Sequence, residues 1–283
     1  RGHVRTIDTV SRGKNDMQLL SMAAAVPLND RITEHLHVSW SNHDGVFTNP
    51  FGVSESESRR VTVRGQTDMM ISPSLGLSAG GELHHEQAES SFITGPDASR
   101  APIKRRTVGA FGELRYEVSE RFYVTAGVRA EQIRRDALSP DPNAFSPRPA
   151  FNPNSIVSVN PKLSVAYFLR PERQQKQYWT RLHGSAGTGI RPPDAFEIAF
   201  TDNPTLKPER NRSLEFGIEQ TIAGGAIILD GTGFLNRYDD LIVAVGRSLQ
   251  DASRFRTDNI SNARTQGLEL AVSARTPWGL EAT

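Results

Sequence analysis

Residues 121–133 read RFYVTAGVRAEQI, and the order of apolar and polar side chains in this stretch indicates the fold class. Apolar residues occupy every second position around Val124 and Val128, while the charged residues Arg129 and Glu131 fall between apolar ones. Successive side chains of a β-strand point to opposite faces. The alternation therefore predicts a strand with one apolar and one polar face.

The preceding segment shows the same alternation, with Val108 and Tyr116 on one predicted face and Glu113 on the other. Ser119-Glu120 separates the two segments as a tight turn, so residues 104–136 are predicted to form one antiparallel hairpin. Similar alternation recurs in residues 60–71, 162–169, 213–222 and 268–273. The chain is therefore predicted to be all-β.

Short and long polar connections alternate along the chain. The short ones are Pro27–Asp30, Pro73-Ser74, Ser119-Glu120, Pro171–Lys176, Ala223–Gly225 and Thr276–Gly279. The long ones are His43–Ser58, Glu89–Ile103, Ala137–Ser155, Ile190–Glu209 and Gly246–Arg254. This sorting predicts an antiparallel meander of about a dozen strands with tight turns at one rim and long loops at the other. Several strands are longer than the roughly 5–6 residues usual in soluble sandwiches, which favours a transmembrane β-barrel.

Composition agrees with a barrel and excludes several other classes. Hydrophobic residues make up 37% of the chain, the mean hydropathy is -0.45 and the formal net charge is +1. No run approaches the roughly 18 apolar residues of a membrane-spanning helix, whereas barrel strands place apolar residues at alternate positions. The near-zero charge argues against a nucleic-acid-binding protein. Without cysteine, the chain has no disulfide framework, thiolate metal site or cysteine nucleophile.

Residues 187–215 read GTGIRPPDAFEIAFTDNPTLKPERNRSLE and contain two spaced motifs, G-x-R-x-P and N-P-x-L-x-P-E. Two further pieces follow in order, FLNRYDDLI at residues 234–242 and NISNARTQGLEL at residues 259–270. Motifs in a fixed order are far more specific than one motif alone. In these pieces the chain resembles the barrels of TonB-dependent receptors. The matching residues are Gly189, Arg191, Pro193, Asn203, Pro204, Leu206, Pro208, Glu209, Tyr238, Asp240, Leu241, Asn259, Gly267 and Glu269.

This resemblance implies an outer-membrane receptor that takes up a scarce large solute. Residues 1–283 would be a single domain, the middle part of a barrel of about 22 strands whose lumen holds a plug. The plug and the last strands would lie outside this chain. The implied partners are outer-membrane lipid, a TonB-type energy-coupling protein acting through the N-terminal plug region, and the solute. An iron–siderophore complex is the first expectation for the solute, cobalamin is the second, and other scarce nutrients are the third.

The loop motif is expected to act mainly as a scaffold rather than as a ligand site. Pro193 holds the chain extended and cannot donate to a strand ladder, so the strand through Gly189 must end there. Pro204 and Pro208 have the same effect on the return. Arg191 and Glu209 flank the loop, and we expect them to pair across it.

Other candidate chemistry is weak. His35, His37, Glu82, His84 and Glu86 are predicted to face the lumen, but their spacing does not define a metal site. No phosphate loop, nucleophile elbow or zinc-protease helix occurs, so neither an enzyme nor a resident cofactor is expected. The long loops carry arginines that would suit the carboxylates of an anionic chelate. These arginines are Arg148, Arg247, Arg254 and Arg256.

Two other classes remain open at this stage. A passive porin or an adhesin would use the same strands without energy coupling, and the presence of a plug would discriminate. A soluble β-sandwich or β-solenoid binding module would expose its polar strand faces to bulk water. Dependence of the purified protein on detergent would separate that module from a barrel.

Overall fold

The computed structural model describes residues 11–50, 52–90, 102–140, 148–169, 179–199, 201–245, 256–259, 262–275 and 281–282. Within these ranges the chain forms one antiparallel sheet of twelve strands and a separate two-stranded hairpin. Each strand of the large sheet pairs with its neighbours in sequence, apart from the place where the small hairpin interrupts the order. The predicted all-β meander of about a dozen strands is confirmed.

The strands of the large sheet are long, and most exceed ten residues. They are β1 (Arg12–Asn29), β2 (Ile32–Asn49), β3 (Gly52–Ser72), β4 (Leu75–Ser90), β5 (Ile103–Ser119), β6 (Phe122–Arg135), β7 (Asn154–Phe168), β8 (Thr180–Arg191), β9 (Glu209–Ile222), β10 (Ile227–Asp239), β13 (Ala263–Arg275) and β14 (Glu281–Ala282). The small hairpin consists of β11 (Ile242–Val245) and β12 (Arg256–Asn259). A short helix, α1 (Ala195–Ala199), lies between β8 and β9.

The hairpin predicted over residues 104–136 is present as β5 and β6. Ser119 pairs with Phe122, so the turn lies at Glu120-Arg121, one residue later than predicted. Val128 lies on the opposite face from Arg129 and is 48% exposed. The predicted assignment of the two faces is confirmed.

The polar face is the concave, inner face of the sheet. Lys162 of β7 forms an ion pair with Glu113 of β5, two strands away. Similarly, His183 of β8 contacts Asp230 of β10 at 3.1 Å. Neighbouring strands are about 4.8 Å apart, so side chains two strands apart meet only where the sheet curves toward them. We call this concave face the luminal wall.

The convex face carries a band of exposed apolar side chains. It includes Leu36, Val63, Val108, Leu114, Val128, Val159, Leu163, Leu214, Phe216, Ile218, Leu268 and Leu270. Such a band, with polar residues on the other face of the same strands, is the pattern of a barrel whose outer surface contacts lipid.

The expectation of a long loop at His43–Ser58 was wrong. β2 continues to Asn49 and β3 begins at Gly52, with these two residues paired at the end of an unbroken ladder. Gly52 has a φ of 144°, which residues with a side chain rarely adopt. Beyond the apolar band a strand needs no apolar residues, so polar sequence there does not mean that pairing has ended.

Where the structure describes them, the other connections agree with the predicted alternation of short and long connections. Tight turns occur at Asp30-Arg31 and Pro73-Ser74, and a short 3-10 turn occupies Ala223–Gly225. β1 ends at Asn29 and therefore includes the first three residues of the predicted turn at Pro27–Asp30. The predicted connections at Pro171–Lys176, Gly246–Arg254 and Thr276–Gly279, and most of Glu89–Ile103, lie outside the described residues. No helix in the described ranges is long and apolar enough to span a membrane.

The assignment of the convex face can be tested with Val128→Arg. An arginine at this position would meet hydrocarbon, which costs about 2–4 kcal/mol at the bilayer midplane. We expect a lower yield of folded protein in lipid vesicles, measured by heat-modifiable gel mobility. Ser164→Arg is the matched control, because Ser164 lies on the luminal wall. Equal folding yields for the two variants would contradict the face assignment.

Candidate functional site

One ion pair closes the loop between β8 and β9, because it joins the last residue of β8 to the first residue of β9. Arg191 and Glu209 are directly opposite each other in the ladder, and Arg191 Nε donates to Glu209 at 2.6 Å. This confirms the expected pairing across the loop. The two terminal nitrogens of Arg191 also donate to the carboxylate of Glu197, at 3.0 and 2.7 Å. A planar guanidinium can bind two carboxylates in this way because its five N–H groups point in fixed directions.

Helix α1 places Glu197 in reach of Arg191, and this helix was not predicted. The Glu197 N–H donates to Asp194 Oδ1 and the Asp194 N–H donates to Glu197 Oε2, both at 2.8 Å. This reciprocal arrangement is a capping box, which stabilises the first turn of a helix. The signal was present in the sequence as Asp194 followed three residues later by Glu197, next to the motif prolines.

Two asparagines tie the loop to the hairpin of β11 and β12. Asn259 accepts from the Lys207 N–H at 2.8 Å, and its amide donates to the carbonyls of Lys207 and Asp240 at 3.0 and 2.7 Å. Asn203 donates to Asp258 Oδ1 at 3.0 Å. These long-range contacts could not be read from sequence spacing.

Glu209 completes this network, because its second carboxylate oxygen accepts the Ile242 N–H at 2.9 Å. Residues from all the spaced motifs thus meet at the long-loop rim. We call the group Arg191, Glu197, Asn203, Glu209 and Asn259 the rim cluster. Arg191, Glu197 and Glu209 use their charged groups to bind one another and the backbone of β11, as the scaffold interpretation requires.

The remaining motif residues take other positions. Pro193, Leu206 and Pro208 are buried under the loop, whereas Pro204 is exposed in its turn. Gly267 lies opposite Phe234, whose ring would be 2.8 Å from an added Cβ, so only glycine fits there without a shift. Gly189, Tyr238, Leu241 and Glu269 lie in or beside strands β8, β10 and β13.

The underside of the loop packs onto the luminal wall. Ile198 and Ala199 are buried against Ile103, Leu138 and Phe151, which belong to β5 and to the connection between β6 and β7. Arg105 Nη1 donates to the carbonyl of Pro193 at 2.9 Å. The loop therefore lies over the inside of the sheet rather than pointing away from it.

A cleft of about 400 Å³ lies between this loop and strands β2 to β5. Its lining includes His43, Arg60, Glu86, Arg105 and Ile198. Glu86 forms ion pairs with both Arg60 and Arg105, and Arg105 stands opposite Arg135 in the ladder. We call Arg60, Glu86, Arg105 and Arg135 the inner mouth. It combines three guanidinium groups with one carboxylate.

The luminal wall below the inner mouth is polar and internally paired. Glu82 contacts Arg129 at 3.5 Å and also pairs with His84, as predicted for luminal residues. His35 contacts Asp68 at 3.0 Å, and His37 contacts Ser21 at 3.0 Å. The described residues contain no group of three or more side chains suited to hold a metal ion.

The four loop arginines fall into different situations. Arg148 is only 3% exposed and donates to the carbonyl of Ser139 within its own loop at 2.9 Å. It is thus not presented to solvent. The backbone of Arg256 forms the start of β12. Arg247 and Arg254 lie outside the described residues.

Arg191→Leu tests whether the rim cluster holds the loop between β8 and β9 in place. The variant leaves Glu197 and Glu209 without their shared cation, so the loop should open more often while the sheet stays intact. We expect hydrogen exchange at Ile242 and in residues 201–208 to accelerate about tenfold, equivalent to roughly 1.4 kcal/mol. Arg31→Leu, at the opposite rim, is the control and should leave these amides unchanged. Unchanged exchange in Arg191→Leu would show that the cluster does not hold the loop.

The chain is similar in sequence to a known protein family and to a known transporter. The family model described as "TonB dependent receptor-like, beta-barrel" matches residues 12–283. The chain is 22% identical to the vitamin B12 transporter BtuB of Vibrio vulnificus (strain YJ016) over 267 residues, which is 92% of this chain and 38% of BtuB.

Solved structures share the fold. The copper transporter OprC superposes with a TM-score of 0.76 at 17% identity, covering 95% of this chain and 46% of OprC. The ferric-catecholate import receptor Fiu of E. coli K12 gives a TM-score of 0.69 at 12% identity, covering 95% of this chain and 46% of Fiu. This chain thus spans less than half the length of these relatives, which are transporters and receptors rather than enzymes. The match over residues 12–283 shows that the chain belongs to the β-barrel family of the TonB-dependent receptors, which are outer-membrane proteins.

Proposed function

We propose that this chain is the barrel part of a receptor that binds a scarce large solute outside the cell and admits it by energy-coupled uptake. The observation that carries the proposal is the loop between β8 and β9. It is held at both ends by the rim cluster and packed over the luminal wall. A solute entering from the long-loop rim would meet this loop and the cleft beneath it first.

Energy coupling is part of this proposal. A wide barrel would be leaky without a plug, and barrels of about 22 strands are the plugged class. In the complete receptor, a TonB-type protein of the inner membrane would act on the plug region. The luminal wall is a suitable surface for such a plug, because its polar side chains offer many hydrogen-bonding groups.

We propose an anionic metal chelate, with an iron–siderophore complex first, as the solute. The inner mouth has an excess of positive charge, since Arg60 and Arg105 share the one carboxylate of Glu86, while Arg135 donates to the backbone carbonyls of Asp136 and Asn152. Guanidinium groups bind carboxylates and similar oxyanions with two parallel hydrogen bonds. The ferric-catecholate receptor among the structural relatives binds a solute of this class.

Cobalamin is the second candidate, because the vitamin B12 transporter is a sequence relative over most of this chain. The two candidates differ in their dependence on charge. A ferric chelate with several carboxylate or catecholate oxygens should depend on the mouth arginines, whereas binding of a mainly neutral corrinoid should depend on contact area.

Arg60→Gln in the full-length receptor tests the solute class. The change removes one mouth charge while Arg105 still pairs with Glu86, so the wall should stay intact. We expect Kd for an anionic ferric chelate to rise roughly fivefold, equivalent to about 1 kcal/mol, measured by tryptophan fluorescence quenching. Arg115→Gln, on the luminal wall near the short turns, is the matched control. An equal effect on a neutral corrinoid, or none on any ferric chelate, would contradict the anionic assignment.

A second experiment tests whether the long loops govern binding. A full-length receptor with Ala137–Ser155 and Gly246–Arg254 shortened should keep its barrel in the membrane but lose high-affinity solute binding. Binding of radiolabelled solute to whole cells measures the effect, with surface labelling to confirm equal amounts of receptor. Equal affinity of the intact and shortened receptors would place recognition elsewhere, for example on the plug.

A further inference from the structure

Four side-chain contacts in the described part of the luminal wall skip a strand, so that each joins two strands across a third. Lys162 of β7 pairs with Glu113 of β5 across β6. His183 of β8 contacts Asp230 of β10 across β9, with 3.1 Å between Nε2 and Oδ2. In both cases a side chain passes over the strand that lies between the partners.

The other two contacts cross β4 and β5 of the same wall. Arg129 of β6 reaches Glu82 of β4 across β5, with 3.5 Å between Nη1 and Oε2. Arg64 of β3 meets the ring of Phe111 of β5 across β4, and its guanidinium carbon is 4.7 Å from the ring centroid. We call these four contacts the wall bridges.

A glycine lies beneath each of the first two wall bridges. Glu113, Gly127 and Lys162 stand in one row of the ladder, and Lys162 Cε would be 2.7 Å from a Cβ added at Gly127. Gly217 stands opposite His183, whose Cε1 would be 2.5 Å from an added Cβ. Real Cβ atoms essentially never have a neighbour closer than 3.0 Å. An alanine at either position would therefore displace the side chain above it.

The remaining two wall bridges show the same arrangement. On β5, Gly109 lies beneath Arg129, whose Nη2 would be 3.2 Å from an added Cβ. On β4, Gly80 is directly opposite Phe111, whose Cζ would be 2.6 Å from an added Cβ. Each wall bridge thus crosses the intervening strand at a glycine. We call Gly80, Gly109, Gly127 and Gly217 the bridge glycines.

The geometry of a sheet explains why glycine stands at these points. Strands two apart are separated by about 10 Å, so a bridging side chain must lie along the wall to reach its partner. Any other residue beneath it would point its Cβ toward the same face, into the path of that side chain. Glycine leaves the path open because it has no Cβ.

Two glycines on the convex face of the same strands lack this packing. Gly65 of β3 and Gly112 of β5 have no heavy atom within 4 Å of an added Cβ. Each is one position from a luminal residue, Arg64 and Glu113, and therefore faces the other way. A glycine inside a strand weakens it and often marks the close approach of another group. At the bridge glycines, the approaching group is a large side chain of the barrel itself.

We propose that the bridge glycines are positioning residues for transport, because they let large luminal side chains lie flat and so keep the lumen wide enough for a plug and a solute to move. The inference rests on the proposed function. A cation that lies flat also gives its charge to a carboxylate of the barrel, so that it does not hold a moving plug. The flat side chains are Arg64, Phe111, Arg129, Lys162 and His183.

This role differs from a purely structural one in what the variants should do. Gly127→Ala lifts Lys162 off the wall and into the lumen. Lys162→Ala breaks the same wall bridge but lifts nothing. If the bridge served only to hold the curve of the sheet, both changes would be equally harmful, whereas narrowing of the lumen follows from the first change alone.

The transport test uses the full-length receptor in energised cells, with radiolabelled ferric citrate, a ferric catecholate complex and cobalamin as probes. For any probe that the wild type takes up, G127A/G217A should lower the uptake rate about fivefold, since movement through the lumen limits the rate. The Kd of that probe on de-energised cells should stay unchanged. The variant G127A/G217A/K162A/H183A, which removes the lifted side chains, should restore uptake. The matched control G65A/G112A, on the convex face, should behave like the wild type.

A second measurement needs no solute. An amine-reactive acetylating reagent is applied to the purified full-length receptor in detergent, and peptide mass spectrometry reports the labelled fraction of Lys162. Gly127→Ala should raise this labelling about threefold, because the amine leaves its carboxylate partner and the wall. Gly112→Ala should leave it unchanged. If the wild type takes up none of the probes, the proposed function fails, while this labelling still tests the position of Lys162.

Three outcomes would overturn the inference. Equal labelling of Lys162 in the wild type and Gly127→Ala would show that the glycine does not hold the side chain down. Uptake lost in K162A/H183A as fully as in G127A/G217A would assign the wall bridges a structural role only. If G127A/G217A does not fold, as judged by heat-modifiable mobility, Gly127→Ala alone should slow uptake about twofold, and an unchanged rate would contradict the proposal.

Discussion

The hydrogen-bonded ladder between neighbouring strands is the constraint on which the rest of the structure depends. Lipid offers no partner for a backbone N–H or C=O group, so a strand that crosses a bilayer must satisfy every such group with a neighbouring strand. The ladder therefore continues from strand to strand, and it fixes which side chains share a face. Once the ladder is in place, successive residues of a strand face lipid and lumen in turn over ten or more positions.

This constraint explains which features could be predicted from the sequence. The alternation around Val128 and Arg129 identified the strands and their faces, because period two is imposed wherever one face meets hydrocarbon. The Arg191–Glu209 pair was also predictable, since two residues that end neighbouring strands must lie opposite each other. Beyond the apolar band the same reasoning fails. At His43–Ser58 the hairpin lies beyond the apolar band, so the sequence loses the strict alternation of apolar and polar residues although pairing continues to Asn49.

The candidate site was only partly predictable, for a different reason. Its residues come from segments far apart in sequence, and sequence spacing does not show which loop residues meet. Glu197 reaches Arg191 because a capping box forms a short helix, and Asn259 reaches Lys207 across 52 positions. Burial of Arg148 could not be anticipated either. A guanidinium in a polar loop is normally exposed, whereas Arg148 is buried and donates to the carbonyl of Ser139, nine residues earlier in the chain.

The residues that hold the loop in place are separate from the other charged residues of the barrel. The rim cluster binds the protein to itself, so its residues fix the loop over the luminal wall whatever the solute is. Other charged side chains stand at two places, the inner mouth on the concave face and the exposed Arg212, Arg237 and Arg264 on the convex face. A charge on either face is tolerated only where water, a headgroup or a ligand can solvate it. The same alternation that builds the barrel thus places cations in two different environments, the luminal wall and the lipid-facing surface.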